Sequence, residues 1–400
     1  MQAEKDQEKL ALWEHQNTEF RNPAQIVSYW QDADRIDPRL LEFETTGQWW
    51  SALSDSAITL LVTREYEHLL LAMHVSDSSG PAVSMMRMPH PSGLAMDHAR
   101  GVVHVASTRN PNQIFDLMPL DGLAPRLDVD EPSLTGKPLL PVRTRFYPGC
   151  LYIHDLAMIG DKLHANSVGQ NAVVRVSGSG AYERVWWPKC IETDNGPVFG
   201  RNHLQLNSIA AGPTLESSFF SASADEMTDL RPGDPSFPVD RRGVIFSAAT
   251  REPIARGLTR PHSARLRNQR IWVENSGYGQ VGYIDDGKFL SVASLPGWTR
   301  GLCFFQEIMF VGTSRILPRF QQYAPGVDID LSCCGIHALD VRSGKILGSM
   351  VWPHGSQVFA IEAAPLNFTT GFPFPADGKP SGDLEKSIFY SFQMKYPQED

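Results

Sequence analysis

An all-β fold, a six-bladed β-propeller with an N-terminal helical extension, is what this sequence predicts. Three observations predict it. Six segments announce a short apolar strand with a small or polar residue that changes each time: Pro91-Ser92-Gly93-Leu94-Ala95-Met96-Asp97, Ile153-His154-Asp155-Leu156-Ala157, Gln205-Leu206-Asn207-Ser208-Ile209-Ala210, Pro261-His262-Ser263-Ala264-Arg265-Leu266, Thr299-Arg300-Gly301-Leu302-Cys303-Phe304 and Val358-Phe359-Ala360-Ile361-Glu362-Ala363. A degenerate repeat of roughly 40–60 residues per unit marks a propeller. Most segments also open a strand-turn-strand layout, that of one antiparallel blade. Finally, glycine (32) and proline (29) are abundant, as many short strands joined by turns require.

The elements follow in order. Residues 1–50 read as an N-terminal extension with helical segments. Ile26 to Trp30 and Leu40-Leu41 supply apolar faces there, and a short helix runs through Gln48 to Leu53. Ile58 to Val62 and His68 to His74 form a hairpin around a charged turn. The propeller spans 51–366. Its first unit runs through Leu94 to Met96, Val102 to Ala106 and Gln113 to Phe115, and its second through Leu156 to Ile159, Lys162 to Ala165 and Ala172 to Val176. The fourth uses Ala264 to Leu266, Gln269 to Val273 and Val281 to Ile284, and the fifth Leu302 to Phe305, Ile308 to Val311 and Gly335 to Leu339. Three insertions, 121–146, 225–242 and 314–332, are long enough to lid a central mouth. The tail, 367–400, reads as extended, with a strand at Ser387 to Phe392. Whether that strand or the Ile58 hairpin closes the ring stays open at this level.

Bulk properties narrow the function classes. A net charge of −9 with no basic stripe argues against nucleic-acid binding. No secretory signal and no run of about 18 apolar residues is visible, so no membrane span is expected. Five scattered cysteines, with no CxxC pair, suit a reducing cytoplasm. Gly277-Tyr278-Gly279-Gln280-Val281-Gly282 spells a dinucleotide fingerprint, but it lies between strands and opens no helix. There is no GxSxG elbow and no phosphate-binding loop.

Two stretches carry a resemblance. Gly257 to Asp285, with Trp272-Val273-Glu274-Asn275-Ser276-Gly277-Tyr278-Gly279 inside it, and Leu295-Pro296-Gly297-Trp298-Thr299-Arg300-Gly301-Leu302 with Phe310 to Ser314 resemble an uncharacterised bacterial propeller-like family. That family bears only a domain-of-unknown-function label, and some members look associated with tetratricopeptide-repeat or sulfotransferase modules. The likeness extends from about Trp49 to about Pro365. Where the family reads His-Leu-Asn-Gly in the third unit, this chain has Gln205-Leu206-Asn207-Ser208, with His203 two residues earlier. The chain resembles, more distantly, six-bladed gluconolactonases and strictosidine-synthase-like proteins, which implies that residues before each inner strand face the axis.

The residues so gathered at one mouth are Ser92, His154, Asp155, Asn207, His262, Ser263, Arg300 and Phe359, with Gln205 just ahead of Asn207. His154 and His262 could ligate one divalent metal ion with help from Gln205, Asn207 or Asp155, although a guanidinium at Arg300 would repel it. Alternatively His262 with Glu274, or His154 with Asp155, forms a carboxylate-oriented imidazole for acid–base work, and Arg300 holds a carboxylate or a developing oxyanion. Gln205, Asn207, Ser263, Tyr278 and Phe359 would line the substrate pocket.

Two functions are compatible. One is an enzyme of small-molecule or peptide-derived secondary metabolism, catalysing hydrolysis, cyclisation or elimination at the mouth. The other is a binding or assembly module that holds a protein or glycan on the propeller face. A deep polar pocket favours the first. A plugged channel with a flat apolar face favours the second.

Overall fold

The computed structural model describes residues 2–19, 36–77, 80–108, 112–123, 136–376 and 392–393. Its body is a ring of six antiparallel sheets, a six-bladed propeller. Numbered by the repeat motifs, the innermost strands are Pro91–Asp97 (blade 1), Ile153–Ile159 (blade 2), Leu206–Ala210 (blade 3), Pro261–Arg267 (blade 4), Trp298–Phe305 (blade 5) and Ala360–Pro365 (blade 6). Every one of the six sequence motifs therefore falls on an axial strand.

Closure uses the Ile58 hairpin. Ala360–Pro365, from the far end of the chain, pairs along Ile58–Arg64, so blade 6 is stitched from both ends of the propeller. The ring is thereby closed by hydrogen bonds between its first and last strands. In the tail, Phe374–Pro375 extends blade 6 and Phe392–Gln393 pairs with Gly122–Leu123. The expected strand at 387–391 lies outside the described residues, as do Ile26 to Trp30.

The N-terminal region contains helix α1 (Gln2–Glu19) and helix α2 (Trp49–Ser56). Between them Glu44–Gly47 adds a fifth strand to blade 5. Trp49 and Leu53 of α2 are buried in the apolar cluster shared with blades 5 and 6. The ring of Trp49 meets Phe310 edge-on at 6.1 Å.

A local irregularity recurs at the top of the inner strands. Pairing with the second strand shifts register between Pro91 and Leu94, Ile153 and Leu156, Leu206 and Ser208, His262 and Arg265, and Thr299 and Leu302. A bulge re-aims side chains and frees backbone groups. Those groups are taken up from blade to blade. Thr63 Oγ1 donates to Ser92 O (2.7 Å), Ser92 Oγ to Ile153 O (2.9 Å), Asn166 Nδ2 to Leu206 O (2.8 Å) and Asn207 Nδ2 to Pro261 O (2.9 Å). The Gly301 amide donates to Ser263 Oγ (2.8 Å), and Ser314 Oγ donates to Val358 O (3.0 Å), which completes a circumferential belt. Three of the repeat's small and polar residues, Ser92, Asn207 and Ser263, thus help to fasten the ring.

Candidate functional site: the axial cavity

Just above the belt, the residue that precedes each inner strand adopts a left-handed backbone in four successive blades. These are His90 (φ 43°), Tyr152 (φ 52°), Gln205 (φ 52°) and Arg260 (φ 51°). For a residue with a side chain this conformation costs roughly 1–2 kcal/mol. Its repetition makes it a designed feature of the ring. Tyr152, Gln205 and Arg260 line a central cavity of about 510 Å³, together with His154, His262 and Arg300 from the inner strands. The volume is that of a small-molecule site.

The rest of the wall comes from loops on the same face. Glu65 and Tyr66 lie in the turn after Ile58–Arg64, and Thr108 lies just after Val102–Ser107. The 225–242 insertion supplies Arg231 and Gly233, and the 314–332 insertion supplies Phe320 and Tyr323. Of the 121–146 insertion, 124–135 lie outside the described residues and Leu139–Tyr147 forms the outer strand of blade 1. Beneath the two histidines the axis narrows to a space of about 10 Å³ lined by Asp155, Asn207, Ser263, Arg265 and Phe359 among others. That is room for about one water molecule, so the axis is constricted there.

His262 is fixed in one orientation. Its Nδ1 lies 2.8 Å from Arg260 O and 3.2 Å from Ser276 Oγ. A carbonyl only accepts, so Nδ1 carries the proton and Nε2 holds the lone pair. Burial, then the charges of Arg300 and Arg260, then His154, push its pKa well below the usual histidine value. The imidazole is therefore neutral. His154 packs edge-on against Tyr152 at 4.7 Å and Phe359 at 5.5 Å. Phe359 in turn lies flat beneath Arg300, whose guanidinium carbon is 3.3 Å from the ring centre.

Arg300 is 6% exposed, and its Nη2 has no hydrogen-bond partner. Arg260 is 5% exposed, donates from Nη1 to Pro232 O at 3.0 Å and stacks on Tyr323 at 4.3 Å; its Nε has no partner. Burial pulls both guanidinium pKa values down; Tyr323 offsets part of this for Arg260 while the charge of Arg300 adds to it, and Glu65, Tyr66, Tyr152 and Glu274 offset part of it for Arg300.

The two carboxylates proposed as imidazole partners lie elsewhere. Asp155 accepts from the Ile209 and Leu156 amides and pairs with Arg265 at 2.9 Å. Glu274 is the register partner of His262. The bulge there, with Ser263 at φ 50°, breaks the alternation, and His262 turns to Arg260 O instead. Neither Glu274 oxygen meets a partner at hydrogen-bonding geometry. Burial pushes its pKa up to about 8, against the opposing pull of Ser263, Arg265 and Arg300. Asn207 and Ser263 are engaged in the belt. Gln205 faces the cavity and accepts from Asn202 Nδ2 at 3.0 Å, while His203 does not line it. Tyr278 sits outside the cavity and donates to Asp240 at 3.0 Å.

A divalent metal does not suit this donor set. Among the described residues no three His, Cys, Asp or Glu side chains converge as ligands. His154 and His262 also share the cavity with two buried arginines, whose charge opposes a cation.

Comparison with known proteins agrees with this fold. A family described as a domain of unknown function, DUF4915, matches residues 47–369. The chain belongs to the DUF4915 family. No curated protein matches the sequence. Among solved structures, the DUF4915 chain is similar to one in a nidogen/laminin complex, at 10% identity and a TM-score of 0.50, covering 77% of this chain and 98% of that one. A gluconolactonase from Xanthomonas campestris aligns at 13% identity and TM-score 0.42, covering 74% and 86%. A luciferin-regenerating enzyme aligns at 10% and 0.41, covering 64% and 74%. At 10% identity the likeness to the nidogen/laminin chain is one of fold. Two further properties bear on the DUF4915 chain: its five cysteines are free, and no helix among the described residues is long and apolar enough to cross a membrane.

Arg260, Tyr152, Arg201, Arg231, Trp298, Phe320 and Tyr323 were not among the residues expected from sequence. Tyr152 and Arg260 stand one position before motifs that were recognised, Ile153-His154 and Pro261-His262. The offset was a usable signal. The loop residues carried none.

Proposed function

We propose that the protein is an enzyme acting on a small organic molecule in the axial cavity by acid–base chemistry of the hydrolytic, cyclising or eliminating kind. The observation that carries this reading is the anchored, neutral His262, whose Nδ1 is tied to Arg260 O at 2.8 Å. A neutral imidazole of fixed tautomer in a sheltered pocket is suited to remove a proton. In this reading Nε2 takes the proton from water or substrate, and Arg300 stabilises the negative charge that develops. His154 and Phe359 position the Arg300 guanidinium through the stacked contacts described above. The working compartment is a reducing one, in keeping with the free thiols.

Carboxylate-bearing lactones and esters, followed by NMR, provide the test. His262→Gln is expected to lower kcat/KM at least ~100-fold with an unchanged melting temperature. The acid limb of the wild-type pH profile should fall below the ordinary histidine range, because the neutral form is favoured by burial. Undiminished turnover in His262→Gln removes the base assignment. Ligand binding without turnover of any substrate favours the alternative, a binding module.

A further inference from the structure

The axial cavity carries a charge imbalance that its own walls do not resolve. Four arginines line it, Arg201, Arg231, Arg260 and Arg300, against a single carboxylate, Glu65. Glu65 is already engaged by the Thr108 hydroxyl. Arg300 and Arg260 are the telling pair. Both are more than nine-tenths buried, and both keep a guanidinium nitrogen without a partner. Their direct contacts are aromatic faces and one carbonyl, and the charges of Glu65 and Glu274 offset only part of the burial of Arg300. Burying a charge that its surroundings compensate only in part is costly, and a ligand that supplies the counter-charge removes that cost. The contrast with the rest of the molecule is sharp. The chain as a whole carries −9, so the cavity is a positive island in an acidic protein, an arrangement that draws and selects anions.

Two further features describe the ligand. The rim arginines Arg201 and Arg231 are exposed, and they stand apart from the buried pair in depth. The wall between is aromatic: Tyr66 stacks on Phe320 (6.3 Å, interplanar angle 10°), and Trp298 lies 5.5 Å from Phe320. We propose that the cavity recognises an organic dianion with a ring or apolar body, one anionic group seated deep on Arg300 and Arg260 and a second met at the rim by Arg201 and Arg231. This rests on the small-molecule reading above and narrows its substrate class. Bidentate guanidinium pairing gives the deep group its orientation, and the aromatic wall holds the body.

Calorimetric titration with isophthalate, phenylsuccinate, benzoate, isophthalamide and benzylamine tests it without requiring turnover. The two dianions are expected to bind at least ~10-fold more tightly than benzoate, and isophthalamide and benzylamine not measurably. Affinity should fall as NaCl is raised. Arg300→Gln and Arg260→Gln should each reduce dianion affinity by about 10- to 100-fold. The exposed double variant R201Q/R231Q, which leaves the buried wall intact, should bring the dianions to the affinity of benzoate. Equal binding of isophthalate and isophthalamide, or no loss in R201Q/R231Q together with no salt dependence, overturns the proposal. Dianion binding with no turnover of any lactone, ester or bound dianion would sink the catalytic reading and leave this one standing. Turnover of neutral esters by a protein indifferent to every anion would do the reverse.

Discussion

Asp155 and Arg265 join blade 2 to blade 4 through an ion pair, Oδ2 to Nη1 2.9 Å, that passes the inner strand of blade 3. The Ile209 amide of that strand donates to the same Oδ2 at 2.9 Å, so one carboxylate ties three blades. Glu362, from blade 6, adds its charge to the same neighbourhood, and its pKa is raised by burial.

Removing one side of this pair leaves the other charge in a confined site. Asp155→Asn is expected to destabilise the protein by about 2–4 kcal/mol, read by urea unfolding. The double variant Asp155→Asn/Arg265→Met should recover part of the loss. Additive losses in the double variant would mean that the pair is not coupled.

Glu274 gives a pH signature of known sign. Its folded pKa is about 8, above that of an exposed glutamate. Both states hold the proton well below pH 4.5. As pH rises, the unfolded chain releases it first, so this group withdraws stability progressively up to about pH 8. Glu274→Gln mimics the protonated form. Its stability relative to wild type should improve by at least about 1 kcal/mol between pH 5 and pH 8, measured by urea unfolding at both. A flat difference would show that Glu274 is ionised in the folded protein.

Gly93 marks how closely blade 1 approaches blade 2. A methyl group there would stand 2.6 Å from Asp155 Cα and from the Leu156 amide nitrogen. Neither backbone atom can yield without moving the inner strand. Gly93→Ala should cost about 1–3 kcal/mol, whereas Gly200→Ala, with nothing within 4 Å, should leave the melting temperature near that of wild type. Equal melting temperatures for the two variants would contradict the close approach.

Much of the fold was legible because its repeats are local. A small or polar residue at the start of a bulged inner strand can fasten it to the next blade, and Ser92, Asn207 and Ser263 do so in three of the six units. The same residues misdirect a search for chemistry, since polarity at a strand start serves the belt as readily as it serves a ligand. His262 and Arg300 were expected at the mouth and do line the cavity. The imidazole–carboxylate pair expected of His262 and Glu274 does not form: the two are register partners across the bulge, but His262 Nδ1 turns to Arg260 O.

The sequence by itself determined the number of blades, the identity of the six axial strands and the presence of histidines and an arginine at their tops, because each depends on a short pattern repeated along the chain. Tertiary structure alone decided that the Ile58 hairpin closes the ring, that Asp155 faces Arg265, and that Arg231, Phe320 and Tyr323 reach the cavity from distant insertions. Those outcomes depend on which groups the closed ring brings within a few ångströms of one another, and on the desolvation that enclosure imposes on their charges.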